Sequence, residues 1–316
     1  MDFNRDALKA RMRKIFSEDP GNLKAALTNS AGLKILKQRG KLNFQEEKIV
    51  PFHFHPFDFR YLYFEPKMME RARKSNTENL RNGNVGIVLS RVNVRENYNS
   101  VIATKFYPYY KLAESSRGSY LVPLYIYDKQ TCKNLESPCL NIEESFMVIV
   151  QEKYADPTIT GQEVFGYIYA ILFSNKYRNK FKNELKEGLP KIPLVNDDKS
   201  FKVLSKLGNK LLQIHCLEFD SSDEIKFNVS GEGIIDNPYF DEKTGKVFIN
   251  HSQCFEGISL PVWEFNIGGY QVLKKWLTER NGSILAAEDI KHFIKMAQAI
   301  TETLKLVDKI DESLVF

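Results

Sequence analysis

The chain has 316 residues and a mass of 36.6 kDa, enough to bury a core without metal or disulfide staples, so small-scaffold readings are excluded. Hydrophobic residues make up 43% and charged residues 27%, with only 17 glycines and 12 prolines, which excludes disordered, collagenous and low-complexity classes. The formal charge of +5 conceals a split: residues 1–215 hold 35 Lys and Arg against 23 Asp and Glu, about +12, and residues 216–316 hold 10 against 17, about −7. A polyanion facing the first two-thirds is one reading of that asymmetry; ordinary solvated surface is the other.

Residues 1–48 read as a helical, basic spacer. Leu8, Met12, Ile15 and Phe16 lie on one face of a first helix ending near Asp19-Pro20-Gly21, and a second pattern runs from Leu23 through Leu27 to Ile35. From Ile49 the period changes to two: Phe52 and Phe54, then Phe57, Phe59, Tyr61 and Tyr63 after Pro56, predict strand, turn, strand. Further β-prone runs are Val85–Leu89, Ser100–Phe106, Tyr120–Tyr127 and Ser145–Val150, so residues 49–160 form a β-rich region. Residues 161–216 are helical and basic: an apolar helix over Gln162–Phe173, a basic one over Tyr177–Leu185, and a third over Ser200–His215, capped by Ser200. Residues 217–316 hold acidic loops, a hairpin around Lys243-Thr244-Gly245, and two closing helices, Tyr270–Arg280 and Ala287 to about Ile310. The predicted fold class is α+β: a mixed, mainly antiparallel β region with flanking helices and a C-terminal helical pair.

The longest dense apolar stretch, Val164–Phe173, is about half of the roughly 20 residues that a membrane-spanning helix requires. The start, Met1 to Asp6, lacks the apolar run of a secretion signal, so a cytoplasmic protein with no membrane partner is expected. Cys132, Cys139, Cys216 and Cys254 form no CxxC pair and are expected to be unpaired thiols without zinc.

Several enzyme classes fail by motif. The chain has no GxxxxGK[ST] phosphate loop, no HExxH and no GxSxG elbow, and Gly231-Glu232-Gly233 lacks the rest of a dinucleotide turn. His53 and His55 alternate on one strand without a third ligand suitably placed, which favours a structural pair. Asp58 with Glu65-Pro66-Lys67 imitates the carboxylates and lysine of metal-dependent nucleases, but Pro66 interrupts the string. Asp236-Asn237-Pro238-Tyr239 imitates the loop with which amino-methyltransferases grip a flipped adenine, with one proline where two are usual; the start of a hairpin is the plainer reading.

Six strings in order across residues 45–312 carry a family likeness. His55-Pro56-Phe57-Asp58-Phe59-Arg60 with Tyr63, followed by Arg71-Ala72-Arg73 and Asn84 to Arg91, is the first. Glu163 to Leu172 with Tyr177-Arg178, Pro190-Lys191-Ile192-Pro193, Phe201 to His215, Ile267-Gly268-Gly269-Tyr270 with Trp276, and Glu302-Thr303 with Ile310-Asp311 are the others. Together they resemble the C-terminal specificity region of type ISP restriction-modification enzymes and the related single-chain type IIG enzymes, with His55 and Lys191 where the family carries Arg. The resemblance implies sequence-specific recognition of double-stranded DNA, without catalysis or cofactor in this chain. It also implies a fragment or stand-alone specificity part whose partner is an adenine methyltransferase domain, on the same or a companion polypeptide, and S-adenosylmethionine is expected in that domain. The alternatives are a divergent methyltransferase or nuclease built on the strings above, and a structural protein-docking arm.

Reading duplex DNA requires Arg or Lys on guanine and Asn or Gln on adenine, delivered from loops on a rigid scaffold. Ser90–Ser119 matches that need, and Arg91, Asn93, Arg95, Lys105, Tyr107, Tyr109 and Arg117 are its predicted DNA contacts. Lys176, Arg178 and Lys182 are predicted phosphate contacts. Arg60, Arg71 and Arg73 are placed with them, with ion pairing to Asp58 and Glu65 as the other reading.

Overall fold

The computed structural model describes residues 1–18, 35, 37–38, 40–69, 78–127, 138–220, 224–228 and 231–315. Most of the helix predicted over 23–36 lies outside these residues, as do Arg71, Arg73 and Cys132. Helix α1 (Arg5–Ser17) starts at Asn4, whose side chain accepts from the amides of Asp6 and Ala7. Its Leu8, Met12 and Ile15 close a small core with Ile49 and Tyr63 from the hairpin that follows, β1 (Ile49–His55) and β2 (Asp58–Tyr63), and with Met68 just after it.

The hairpin turns on Phe57, a non-glycine residue at φ 60 whose ring is fully buried. Its amide donates to His53 Nε2 at 3.1 Å, and its carbonyl accepts from His292 Nε2 at 2.8 Å. The left-handed backbone is thus held from both sides, by His53 of the same hairpin and by His292 from far along the chain. His53 Nδ1 lies 3.0 Å from Thr104 Oγ1, so each ring nitrogen has a partner, and burial pushes its pKa down to about 3.

Strands β3 (Gly86–Ser90), β4 (Val101–Thr104), β5 (Tyr107–Pro108) and β6 (Ser119–Pro123) follow. The order β4-β3-β6 makes an antiparallel sheet, buried throughout at β3 and β4, and β5 runs parallel to β1 at the edge of the hairpin. The pair β7 (Tyr125–Ile126) and β8 (Cys139–Leu140) closes this region. Several small sheets and a large helical share give the α+β class that the patterning predicts.

Ser145–Val150, predicted as a strand, is part of helix α2 (Glu144–Lys153). Phe146, Met147 and Val150 pack on the core at helical spacing; in so short a run this period hides behind β-branched composition. Helix α3 (Gly161–Phe173) opens with a capping box between Thr160 and Glu163. The predicted basic helix is two pieces, α4 (Asn175–Lys180) and α5 (Glu184–Glu187), separated at Phe181. Helix α6 (Asp198–His215) is capped by Asp197, which accepts from the Ser200 amide, rather than by Ser200.

At the crossing of α3 and α6, a Cβ added to Gly208 would lie 1.8 Å from the Gly166 carbonyl oxygen. Backbone meets backbone there, so no side-chain rotation relieves the clash. Gly208→Ala is therefore expected to destabilise the fold by about 3 kcal/mol, read as a lower denaturant midpoint at unchanged slope.

The last third adds β9 (Lys226–Phe227), β10 (Tyr239–Asp241), β11 (Lys246–Phe248) and β12 (Cys254–Glu256), an antiparallel sheet in the order β10-β11-β12-β9. Helix α7 (Leu260–Trp263), the short hairpin β13 (Asn266–Ile267) and β14 (Tyr270–Gln271), and helices α8 (Val272–Thr278) and α9 (Ala287–Ser313) complete it. His215 links three helices: Tyr169 Oη lies 2.5 Å from its Nδ1 and Thr303 Oγ1 lies 2.9 Å from its Nε2. One core draws on residues from Phe57 to Leu314. Cys216 and Cys254 are free, whereas Cys139 is disulfide-bonded, which corrects the expectation of an unpaired thiol there. Among the described residues, no helix is long and apolar enough to cross a membrane.

Candidate nucleic-acid interface

The loop joining β3 to β4 (residues 91–99) and the loop joining β5 to β6 (residues 109–118) are built as one object. Glu114, fully buried, is its hub. Arg95 forks onto it through Nε at 3.0 Å and Nη2 at 2.8 Å, and Ser100 Oγ and both the amide and hydroxyl of Ser116 donate to it within 3.2 Å. Burial acts to raise the Glu114 pKa, but the Arg95 and Ser116 hydrogen bonds outweigh it and hold the carboxyl at about 2. The Arg91 amide adds a bond to the Gly118 carbonyl, and Asn93 Oδ1 accepts from the Arg95 amide.

The β13–β14 hairpin locks this pair from behind. The Gly268 amide donates to the Asn99 carbonyl at 3.2 Å, and Tyr270 Oη donates to the Lys111 carbonyl at 3.0 Å. Gly268, at φ +54, admits Ala113 so closely that a Cβ would lie 2.2 Å from its carbonyl oxygen. At Gly269 a Cβ would meet Ser115 Oγ at 2.0 Å. The Gly-Gly-Tyr string, absent from the predicted contacts, is what permits this approach.

Outward from this platform stand Arg91, Val92, Val94, Glu96, Asn97, Ser116 and Arg117, all exposed. The Arg91 guanidinium rests 4.8 Å over the Tyr120 ring, and neither Arg91 nor Arg117 pairs with an acid among the described residues. Lys182, between α4 and α5, reaches Glu96 with Nζ 3.0 Å from Oε1, so the basic segment adjoins the first loop. Of the predicted contacts, the fold therefore gathers Arg91, Asn93, Arg95, Arg117 and Lys182.

Arg95 is committed to the platform, with its Nε and Nη2 engaged by Glu114 and Ser115. The other predicted contacts lie elsewhere. Arg178 is not a surface cation: its guanidinium is buried, Nε donates to the Leu172 carbonyl at 2.7 Å, and burial lowers its pKa to about 10. Arg60 is buried, forked on Asp58 at 2.9 and 2.6 Å and bound to Glu279 at 3.2 Å, so its ion-pair reading holds. Lys105 grips Glu218 at the wall of a separate crevice with Asn84, Gln162 and Gln213. Lys176 is exposed beside the end of α9, with Nζ 3.3 Å from the Leu314 carbonyl. Tyr107 packs on Phe64 and Tyr109 on Phe54, as half-buried parts of an aromatic seam.

The strings weighed for catalysis have structural partners. Asp58 holds Arg60 and Arg280, and Glu65 binds Lys48 and the Lys67 amide. Asn237-Pro238-Tyr239 leads into β10, as the hairpin reading expected. The Gly233 amide is bonded to Gln253 at 2.7 Å, and no helix opens at Gly231-Glu232-Gly233. No group of three or more His, Cys, Asp and Glu able to hold a metal occurs among the described residues.

The resembling strings thus form the frame. Tyr167 and Tyr177 donate to the Pro193 and Lys191 carbonyls, holding the Pro-Lys-Ile-Pro segment against α3 and α4. The structure is similar to that of the DrdV–DNA complex, with TM-score 0.71 and 20% identity over 97% of this chain and 33% of that one. It is also similar to the DNA-bound, ATP-dependent Type ISP restriction-modification enzyme LlaBIII, with TM-score 0.72 and 16% identity over 98% of this chain and 22% of that one. A nuclease-deletion mutant of the Type ISP enzyme LlaGI, solved with a DNA substrate mimic, aligns with TM-score 0.64 and 17% identity over 87% of this chain and 26% of that one. At these identities the likeness establishes the fold, and the chain spans a third or less of each of these proteins. Among curated proteins none matches the chain. The profile of the Type ISP C-terminal specificity domain matches residues 1–309, and on that match the chain belongs to this family.

Proposed function

We propose that this chain reads the DNA target of a Type ISP restriction-modification enzyme, with the loops at 91–99 and 109–118 facing the duplex. The observation that carries the reading is the Arg95–Glu114 lock: it fixes two loops to each other, with the glycine hairpin bonded to Asn99 and Lys111 beside it, while leaving Arg91 and Arg117 outward. Base reading requires such preorganised loops, since side chains that must be ordered on binding lose affinity. The DNA complexes among the similar structures support the same reading. In it, methyl transfer to adenine and the S-adenosylmethionine site belong to an associated methyltransferase domain, and this chain carries out no catalysis.

Duplex binding by the 316-residue chain is expected to weaken with salt, and Lys182→Ala to lower the log–log salt slope by about 0.9 for one lost phosphate contact. Selection from a randomised duplex pool is expected to yield a consensus, and Arg91→Ala or Arg117→Ala to relax it at one position by about 1–3 kcal/mol. A chain that binds every duplex alike would overturn the reading.

A further inference from the structure

The crest of the first loop carries a carboxylate that the platform does not use. Glu96 is 83% exposed, and Lys182 is its ion-pair partner at 3.0 Å. Arg95 before it is clamped by Glu114, and Tyr98, two residues after it, is buried. Glu96 and Asn97 are thus an adjacent exposed polar pair on this loop.

A negative charge at that place opposes the approach of a phosphate backbone to Arg91, Arg117 and Lys182. As a brace it contributes little, because an exposed ion pair between two long side chains is weak and salt-screened. Its chemistry has a direct use in a major groove, where a carboxylate accepts from the N4 amino group of cytosine. Lys182 reaches Glu96 through a flexible four-carbon stem, so a backbone phosphate arriving at this face competes for the same ammonium. Exchanging Glu96 for phosphate at Lys182, and Lys182 for a base amino group at Glu96, leaves neither charge unpaired.

We infer that Glu96 is a specificity-determining residue that accepts from the N4 amino group of a cytosine in the target, released for that contact when Lys182 moves onto a backbone phosphate. The inference rests on the two loops facing the duplex, as proposed above. Asn97, beside it, offers an acceptor and a donor for the neighbouring base pair.

The test is selection from a randomised duplex pool by the 316-residue chain and its Glu96→Ala, Glu96→Gln and Lys182→Ala variants, with salt titration of each. The wild-type consensus is expected to contain a cytosine whose preference falls roughly 5- to 150-fold in Glu96→Ala. Glu96→Gln, which replaces two acceptors by an acceptor and a donor, is expected to shift the same position toward adenine. Lys182→Ala is expected to weaken all duplexes alike and to leave the consensus unchanged. A consensus that responds to Arg91→Ala or Arg117→Ala but is identical in both Glu96 variants overturns this inference alone. Absence of any wild-type consensus overturns it together with the reading on which it rests.

Discussion

Asp58→Ala is expected to lower the unfolding free energy by about 3–5 kcal/mol, because it removes the buried anion that two buried guanidinium groups share. Asp58 is 1% exposed and holds Arg60 on one oxygen at 2.6 Å and Arg280 on the other at 3.0 Å. Arg60 continues to Glu279, and Phe3 packs against both guanidinium groups at 4.3 and 4.2 Å. This network ties the β1–β2 hairpin to the C-terminal helical pair, so its loss is felt across the whole frame. Equilibrium denaturation measures it: a variant unfolding at the parental midpoint would show that water reaches these arginines. Asp58→Asn, which keeps the shape and part of the hydrogen bonding, is expected to cost less than Asp58→Ala.

Acidification is expected to destabilise the fold well before its carboxylates protonate. Burial holds His53 and His215 at about 3, below the ordinary 6.5. Unfolding frees both rings to take a proton as soon as the pH drops under 6.5, whereas the folded state stays neutral down to about 3. Their contribution is therefore complete above pH 6.5 and falls through that window by about 1.4 kcal/mol per pH unit for each ring. At pH 5 the two together cost about 4 kcal/mol. Glu114, held at about 2, adds its own loss only below the usual carboxylate range near 4.5. Denaturant midpoints at pH 7, 6 and 5 test this, and a flat profile would mean that these imidazoles charge without unfolding the protein.

Local chemistry made much of the architecture legible. The period of two from Phe52 to Tyr63, the apolar run over Gln162–Phe173, the Lys243-Thr244-Gly245 turn and the long stripe from Ile290 to Val307 each act within a few residues, so the chain displays them directly. Where competing local signals were close, as over Ser145–Val150, the choice passed to packing: a helix puts Phe146 and Val150 on one buried face, and a strand does not.

The proposed binding face is a different matter. Arg60, Arg91, Arg95, Arg117 and Arg178 are equivalent cations along the chain, and what separates them is the company each keeps after folding. Arg60 finds Glu279 across 219 residues of sequence, and Arg95 finds Glu114 across 19. Arg178 is enclosed against the end of α3, on the Leu172 carbonyl and the Phe173 ring, while Arg91 and Arg117 are exposed. A charge is available to a partner only if nothing in the folded chain has taken it first. The Asp58–Arg60 pair, two residues apart, is legible in sequence, but the Arg60–Glu279 and Arg95–Glu114 pairs join residues that only folding brings together, so no short window shows which arginines remain free.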